Sequence, residues 1–330
     1  MSYQNTAAEF RPELQVKVEE AMAIDDSFVA DTVFPIYPVK TRTGFFKKIK
    51  RGKGQLLSKA GGATTATDPL RRAPGTRYRE VTRTTERHSW NTEDRGLEEP
   101  MDDVNKQEES RFFDLESSTA IWLMRNIRIS REVRVAALIQ DENVWGVEEA
   151  SEAYTEANLA DIDFANDTKR LKRIMRKRQE PINAMALSLN LWDIITSSEK
   201  LRSFFFGANG GNAMIDEEMI AKKFKLKYVL IGQTSYDTTK PGKDSSDDNL
   251  QWAWNDGNIW FGNIQGGPPE AGGAGRTFIL DELTGGELYV TETYRDEGIR
   301  SDRLRVRQDD DTNVINENSG ILLKVADLTP

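Results

Sequence analysis

The chain has no cysteine and a single histidine, His88, in 330 residues. Without cysteine it has no disulfides, no thiolate metal site and no thiol nucleophile. One histidine gives no support to a Ser-His-Asp triad and rules out a multi-histidine metal site within one chain. Hydrophobic residues make up 38% against 30% charged, and the mean hydropathy is -0.62. That balance belongs to a soluble chain with much surface or many extended segments. No stretch approaches the roughly 18 apolar residues of a membrane span. The start, MSYQNTAAEFRPELQVKVEE, is acidic and broken by charge, unlike a secretory signal, so the chain is expected to stay in a cytoplasm or in something assembled there. A net charge of -9 lacks the basic excess of a general nucleic-acid binder.

What is present begins with the stretch from Gln107 to Asp141, which has neither Gly nor Pro. Its apolar residues recur at helical spacing (Phe113, Ala120, Met124, Ile127, Val135, Leu138), widened by Phe112, Leu115, Trp122 and Leu123. Acidic residues at the start and arginines in the second half suit the helix macrodipole. The spacing predicts one long helix, a rod that would act as a spine.

Before it lie two segments with little core of their own. Residues 1–39 read as an arm, with a short amphipathic piece from Pro12 to Met22 and then DDSFVADTVFPIYPVK. There Pro35 and Pro38 enforce extended backbone, suited to lying on another surface or to a sheet edge. Residues 40–100 start with eight cations and no acid between Lys40 and Lys59 and continue through a Gly/Thr/Pro-rich stretch. They end in the charged, β-compatible RYREVTRTTERHSWN, the pattern of a solvated two-stranded ribbon. The basic strip either binds phosphates or docks on an acidic surface.

After the long helix, VWGVEEASEAYTEANL reads as acidic and irregular, with short helical possibilities. Asp163 to Gln179 predicts an amphipathic helix whose basic run covers a solvated face. From Ile182 the chain reads as compact α/β: AMALSL a buried strand, NLWDIITSSEKLRSFF a helix, DEEMIAKKF a helix and LKYVLIGQTSY a strand. LQWAWNDGNIWFGN reads as a tryptophan hairpin, GGPPEAGGAG as a flexible loop and RTFIL as a strand. The tail supplies two or three strands, the last from Ile321 to Val325. Familiar motifs fail. GANGGNAM lacks the Lys-Ser/Thr of a phosphate loop, and DDDTNVINENSG has Val314 where a calcium loop needs Gly. Carboxylate pairs such as Glu98/Glu99 and Asp247/Asp248 lie in polar segments, and nothing specifies catalysis.

The order of elements resembles the major capsid (coat) proteins of tailed bacteriophages, of the Hong Kong 97-like fold, over nearly the whole chain. FVADTVFPIYPVK resembles the end of that family's N-terminal arm, and Thr41 to Arg95, with RRAPG before a charged ribbon, resembles its extended loop. The Gln107–Asp141 helix resembles the spine helix. EPINAMALSLNLWDIITSSEKLRSFF, DEEMIAKKFKLKYVLIGQTSY, WAWNDGNIWFGN and NSGILLKVAD resemble successive parts of the axial domain.

The resemblance implies an α+β fold with an N-terminal arm (1–39), an extended β-hairpin loop (40–100) and a peripheral domain (101–181) carrying the spine helix. An axial α/β domain (182–275), strands returning to the peripheral domain (276–312) and a final axial strand (313–330) complete it. It implies a structural, non-enzymatic subunit without cofactor or metal, forming hexamers and pentamers of an icosahedral virion shell around double-stranded DNA and assembled in a bacterial cytoplasm. Implied partners are further copies of the chain, a portal protein, a possible decoration protein and packaged DNA bound without sequence specificity. The arm starts almost at Met1, which implies a separate scaffolding protein. Covalent Lys–Asn links between subunits, known in some relatives, have no local pattern here. From charge alone, Lys47, Lys48, Lys50, Arg71 and Arg72 are candidates to pair with Asp102, Asp103, Glu108, Glu109, Asp114 and Glu116 of an adjacent subunit. The other function classes are a nucleic-acid-binding protein using residues 40–59 and a hydrolase on the C-terminal α/β region.

Overall fold

Two sheets are joined by one long helix. The computed structural model describes residues 8–22, 28–49, 74–75, 77, 86–104, 106, 114–207, 214–240, 242–244, 246–281 and 287–325. Helix α3 (Leu115–Ile139) has 25 residues, a rod of about 37 Å at 1.5 Å rise per residue. Its start is set by Asp114, in extended conformation, whose carboxylate accepts from the Ser117 amide at 3.2 Å. This satisfies a first-turn donor that has no partner inside the helix. The helix therefore begins at Leu115 and not at Gln107; residues 107–113 lie outside the described residues. At the other end the Trp145 indole donates to the Leu138 carbonyl at 3.1 Å, doing the same for a last-turn acceptor. Trp122, expected in the buried stripe, is 58% exposed. It shares the outer face with Ser118 and Arg125, while Leu123 and Met124 turn inward.

The larger sheet lies against this helix. Its central strand, β14 (Ser301–Val314), pairs with β13 (Val290–Asp296) and then β12 (Gly275–Leu280) along one edge. The other edge takes β5 (Glu93–Asp102), since Asp310 is opposite both Ile279 and Glu93. Strand β1 (Glu9–Phe10) extends the sheet beyond β13, and β2 (Ile36–Val39) closes it parallel to β12. Leu304, Val306 and Met101 pack under α3 together with Leu14 and Val18 of α1 (Pro12–Met22). The expected extended strip divides in two. Ala30–Val33 is a helical turn, α2, with Val29, Val33 and Phe34 buried in this chain's own core. Among the strip's described residues only Ile36–Val39 is a strand, at the sheet edge where Pro38 costs no ladder bond.

The foot of the basic ribbon is well fixed. Strands β3 (Thr43–Lys48) and β4 (Glu86–Asn91) pair antiparallel. Trp90 and Phe46 stack on Phe278 of β12 at 5.0 and 5.3 Å, and Tyr37 meets it edge-on at 6.0 Å. Gly44 is required beneath Trp90, because a Cβ there would stand 2.0 Å from the indole ring. The 40–100 range expected for the loop also takes in β5, which is a full member of the larger sheet.

The smaller sheet runs β6 (Gly146–Glu149), β15 (Gly320–Lys324), β11 (Asn258–Gly262), β7 (Ala184–Ser188) and β8 (Tyr228–Gly232). Alternate residues of its strands point to two different cores. Met185, Leu187, Ile259, Phe261, Ile321 and Leu323 meet helices α4 (Phe164–Lys177), α5 (Leu189–Ser197), α6 (Glu199–Phe206) and α7 (Glu217–Phe224). Ala184, Ala186, Trp260 and Leu322 face Trp145, Trp254 and the end of α3. Although 146–149 and 164–177 fall in the stretch expected to be peripheral, β6 pairs with β15 and α4 packs on this sheet's helical face.

Four readings are corrected. The stretch after α3 is not wholly irregular: Gly146–Glu149 is an edge strand. The single helix expected after β7 breaks at Ser198, whose hydroxyl donates to the Ile195 carbonyl at 2.8 Å, a local bond that competes with helix continuation. The tryptophan segment is not one hairpin. Leu250–Trp252 is β10, paired with β9 (Ser235–Asp237), while Asn258–Gly262 enters the smaller sheet. The glycine-rich loop is held and not free. The buried Arg276 guanidinium donates to the carbonyls of Gly266, Gly267, Gly272 and Gly275 at 3.3, 2.8, 2.7 and 2.7 Å.

Candidate assembly surfaces and a buried charge hub

Two consecutive residues of α3, Arg131 and Glu132, point into the protein and are fully buried. Arg131 lies four residues from both Ile127 and Val135, so the apolar stripe itself carries it inward. Its guanidinium is 3.1 Å from Asp31 and donates to the Thr277 hydroxyl at 3.1 Å; that hydroxyl in turn donates to the Phe34 carbonyl. Glu132 accepts from the amides of Val29 and Ala30 at 3.2 and 2.9 Å and from the Trp254 indole at 2.7 Å. Burial raises its carboxyl above the usual glutamate range, although these three donors pull the other way. One turn on, Arg134 joins Arg95 of β5 around the buried Asp310 of β14. The hub thus ties α3 to the α2 turn, to both edges of β14 and to the loop before β11. Gln140 extends the tie, donating to the Asn255 carbonyl at 2.8 Å while accepting from the Asn255 amide at 2.9 Å.

A second charged region runs over the outer part of the larger sheet. Arg303 bridges Glu98 and Asp296, and Glu292 bridges Arg305 and Arg307. Next to it, a groove of about 410 Å³ is lined by Glu9, Arg11, Lys106, Glu116, Tyr294 and Asp302. Burial alone would raise the Asp302 carboxyl, but hydrogen bonds from Lys106 and Arg295 bring it below the ordinary range. A general acid needs the opposite shift. The groove holds ion pairs: Lys106 with Asp302 and Glu116, and Arg295 with Asp302.

No protein-family model matches the sequence, and a search of curated proteins finds no match. Solved structures do match, from end to end. A phage-related protein of Bordetella bronchiseptica RB50 superposes with a TM-score of 0.68 at 16% identity, covering 98% of this chain and 99% of that one. A putative prophage capsid protein of Escherichia coli CFT073 gives 0.53 at 10% identity, over 97% and 100% of the two chains. The capsid of cyanophage P-SCSP1u gives 0.53 at 11% identity, over 91% and 89%. The chain has the fold of tailed-phage capsid proteins. Its mixed helix-and-sheet architecture is the one the prophage and cyanophage capsid structures share, and the expected resemblance holds over nearly the whole length.

Within this capsid fold, the charged residues expected to act between subunits are unevenly placed. Lys50, Arg71, Arg72, Glu108 and Glu109 lie outside the described residues. Lys47 and Lys48 are on β3, where Lys48 already pairs with Glu317 of the same chain at 3.1 Å. Asp103 is gripped by both terminal nitrogens of Arg295 at 2.5 and 2.7 Å, which holds its carboxyl low. Asp114 serves the helix cap and meets Lys17 at 3.0 Å; the Ser117 hydroxyl and Lys17 take its carboxyl down to about 2. Glu116 pairs with Lys106 at 2.5 Å and Arg11 at 3.5 Å, and Asp102 accepts from the Val104 amide at 2.8 Å. The acids do gather at the start of α3, but their described members have partners inside the chain. The sequence reading missed Arg131, Glu132, Asp310 and Arg276, all buried. For the first two the available signal was their position on the apolar stripe.

Proposed function

We propose that the chain is a major capsid protein. Copies form hexamers and pentamers that tile an icosahedral shell around double-stranded DNA, and no catalytic step is assigned to it. The observation that carries this reading is the end-to-end superposition on solved capsid structures, 97% of this chain on 100% of the Escherichia coli prophage protein, with the phage-related Bordetella protein superposing over 98% and 99%. The ribbon supports it: its foot is fixed on β12 while its exposed Phe45 and Lys47 face away from any core. In this reading α3 is the spine of a peripheral domain formed with the larger sheet. The axial domain is the smaller sheet with α4 to α7, starting near residue 146 instead of 182. Partners are other copies, a scaffolding protein, a portal and the packaged DNA, with a decoration protein as a further one; assembly takes place in the host cytoplasm.

The basic loop residues Lys47, Lys48, Lys50, Arg71 and Arg72 are proposed to reach the acids of a neighbouring subunit near the start of its α3. Exposed pairs contribute only about 0–1 kcal/mol each, so they set register and not bulk affinity. Because Asp103, Asp114 and Glu116 already have internal partners, such contacts would share these carboxylates and not replace the internal bonds. Light scattering of the full chain, expressed alone and with a scaffolding protein, tests the coat reading. Discrete capsomers or shells are expected, and a monomer under every condition would refute it.

A further inference from the structure

The outer face of α4 carries Lys169, Arg173, Arg176 and Lys177 exposed and Lys172 half-buried. Elements distant in sequence add to this positive face. Lys169 of α4 and Lys223 of α7 both sit over the Phe204 ring, at 4.9 and 4.6 Å. Lys172 has its ammonium pushed down, first by burial and then by Arg176 and by Lys225, the residue that ends α7. Among the described residues, Lys172, Arg173, Arg176, Lys177 and Lys225 form no ion pair, and the neighbouring acids are engaged. Asp167 is buried and accepts from Ser151 and Tyr154, Glu218 pairs with Lys222, and Glu180 binds Asn316 and Ser319. On a chain of net charge -9 this concentration of uncompensated cations repels itself until an anionic surface meets it.

The complementary surface is on the same chain, out of its own reach. The connection between β9 and β10 exposes Asp244, Asp247 and Asp248, against Lys240 and Lys243. Among the described residues none of the three acids forms an ion pair. Directly after them Leu250 and Trp252 project from one side of β10, each 48% exposed. The basic face offers an apolar counterpart. Phe204, Phe205 and Phe206 continue from beneath Lys169 and Lys223 to the partly exposed end of α6. Lys225 precedes β8 and the hairpin follows it, so a strand of five residues, about 16 Å, holds the two surfaces at opposite ends. We infer that the basic face of α4 and α7 receives the acidic, tryptophan-bearing β9–β10 hairpin of a second copy of this chain. The contact is head-to-tail, and repeated by rotation it closes a ring. It rests on the coat reading and names the surfaces that would join neighbours around one capsomer.

The test uses two variants of the full chain, each checked for native circular dichroism. One carries Arg173→Glu and Arg176→Glu, the other Asp247→Lys and Asp248→Lys. Either variant alone should need roughly tenfold more protein to form capsomers, read by sedimentation velocity. Mixed in equal amounts, the two can alternate around an even-membered ring, and capsomer formation should return to within about threefold of the wild type. Structural damage would not be repaired by mixing. The inference is overturned if each variant assembles like the wild type or if the mixture stays unassembled. It is equally overturned if the α4 variant assembles normally and loses salt-dependent binding to duplex DNA, which would make the face a nucleic-acid surface. A wild-type chain that never assembles would sink the coat reading and this contact with it.

Discussion

Glu132 offers a direct test of the buried hub. Replacing it with Ala removes the acceptor of three donors, the Val29 and Ala30 amides and the Trp254 indole, at a site closed to water. Each buried donor left unpaired costs about 1–3 kcal/mol, and the three share one carboxylate, so their losses do not add fully. We expect Glu132→Ala to destabilise the chain by about 3–5 kcal/mol. Glu132→Gln keeps one oxygen but turns an amine toward a donor, so it should lie between, at about 1–3 kcal/mol. Urea unfolding of the monomeric chain, followed by tryptophan fluorescence, gives these differences, and hydrogen exchange at Val29 and Ala30 localises them. The pH dependence has a definite sign. Because folding raises the Glu132 carboxyl, its contribution is full below the ordinary value of 4.5 and is lost as pH rises through the folded value. The advantage of wild type over Glu132→Gln should therefore widen as pH falls toward that value. A Glu132→Ala chain within about 0.5 kcal/mol of wild type, with unchanged protection at both amides, would refute the argument.

Other sites give independent checks. Asp114→Ala should cost about 0.5–2 kcal/mol through loss of the α3 cap. Since the Asp114 carboxyl falls from 3.8 to about 2, its contribution should be present above pH 4 and vanish as pH drops through about 2. Arg276→Lys replaces a fork reaching four carbonyls by a point charge, so loop 266–275 should become sensitive to limited proteolysis and stability should fall by about 2–4 kcal/mol. Gly320→Ala would set a Cβ 2.4 Å from the Trp145 ring and 2.7 Å from the Trp260 indole nitrogen. Calorimetry should show a loss of about 1–3 kcal/mol or more. Phe278→Ala removes the ring on which Trp90, Phe46 and Tyr37 pack; about 3–5 kcal/mol should go, with faster exchange at the β3–β4 amides.

Much of the fold could be read where local pattern and tertiary burial agree. A stretch free of Gly and Pro formed α3, the apolar runs at Ala184 and Ile321 became β7 and β15, and Asp163 capped α4 as its position suggests. The misses share one cause: the deciding partner is far away in the chain. Gly146–Glu149 is half acidic and becomes a strand only because β15, some 175 residues later, offers it an edge. The two parts of the tryptophan segment look alike locally but are claimed by different partners, β9 and the smaller sheet. Arg131 and Glu132 lie on the apolar stripe, but the partners that hold them there, Asp31, Thr277 and Trp254, come from distant parts of the chain. The candidate assembly site was legible as a gathering of acids near Asp103 and Asp114. Its chemistry was not, because Arg295 and Lys17, which hold those acids, come from other parts of the chain.

The central claim is that this chain builds a shell. Electron microscopy of the purified full chain, produced together with a scaffolding protein, tests it most directly. The account predicts closed particles whose surface resolves into six- and five-fold capsomers, with the smaller sheet and α4 to α7 surrounding each capsomer axis. Monodisperse single copies at every concentration and salt tried, or oligomers lacking both symmetries, would contradict it.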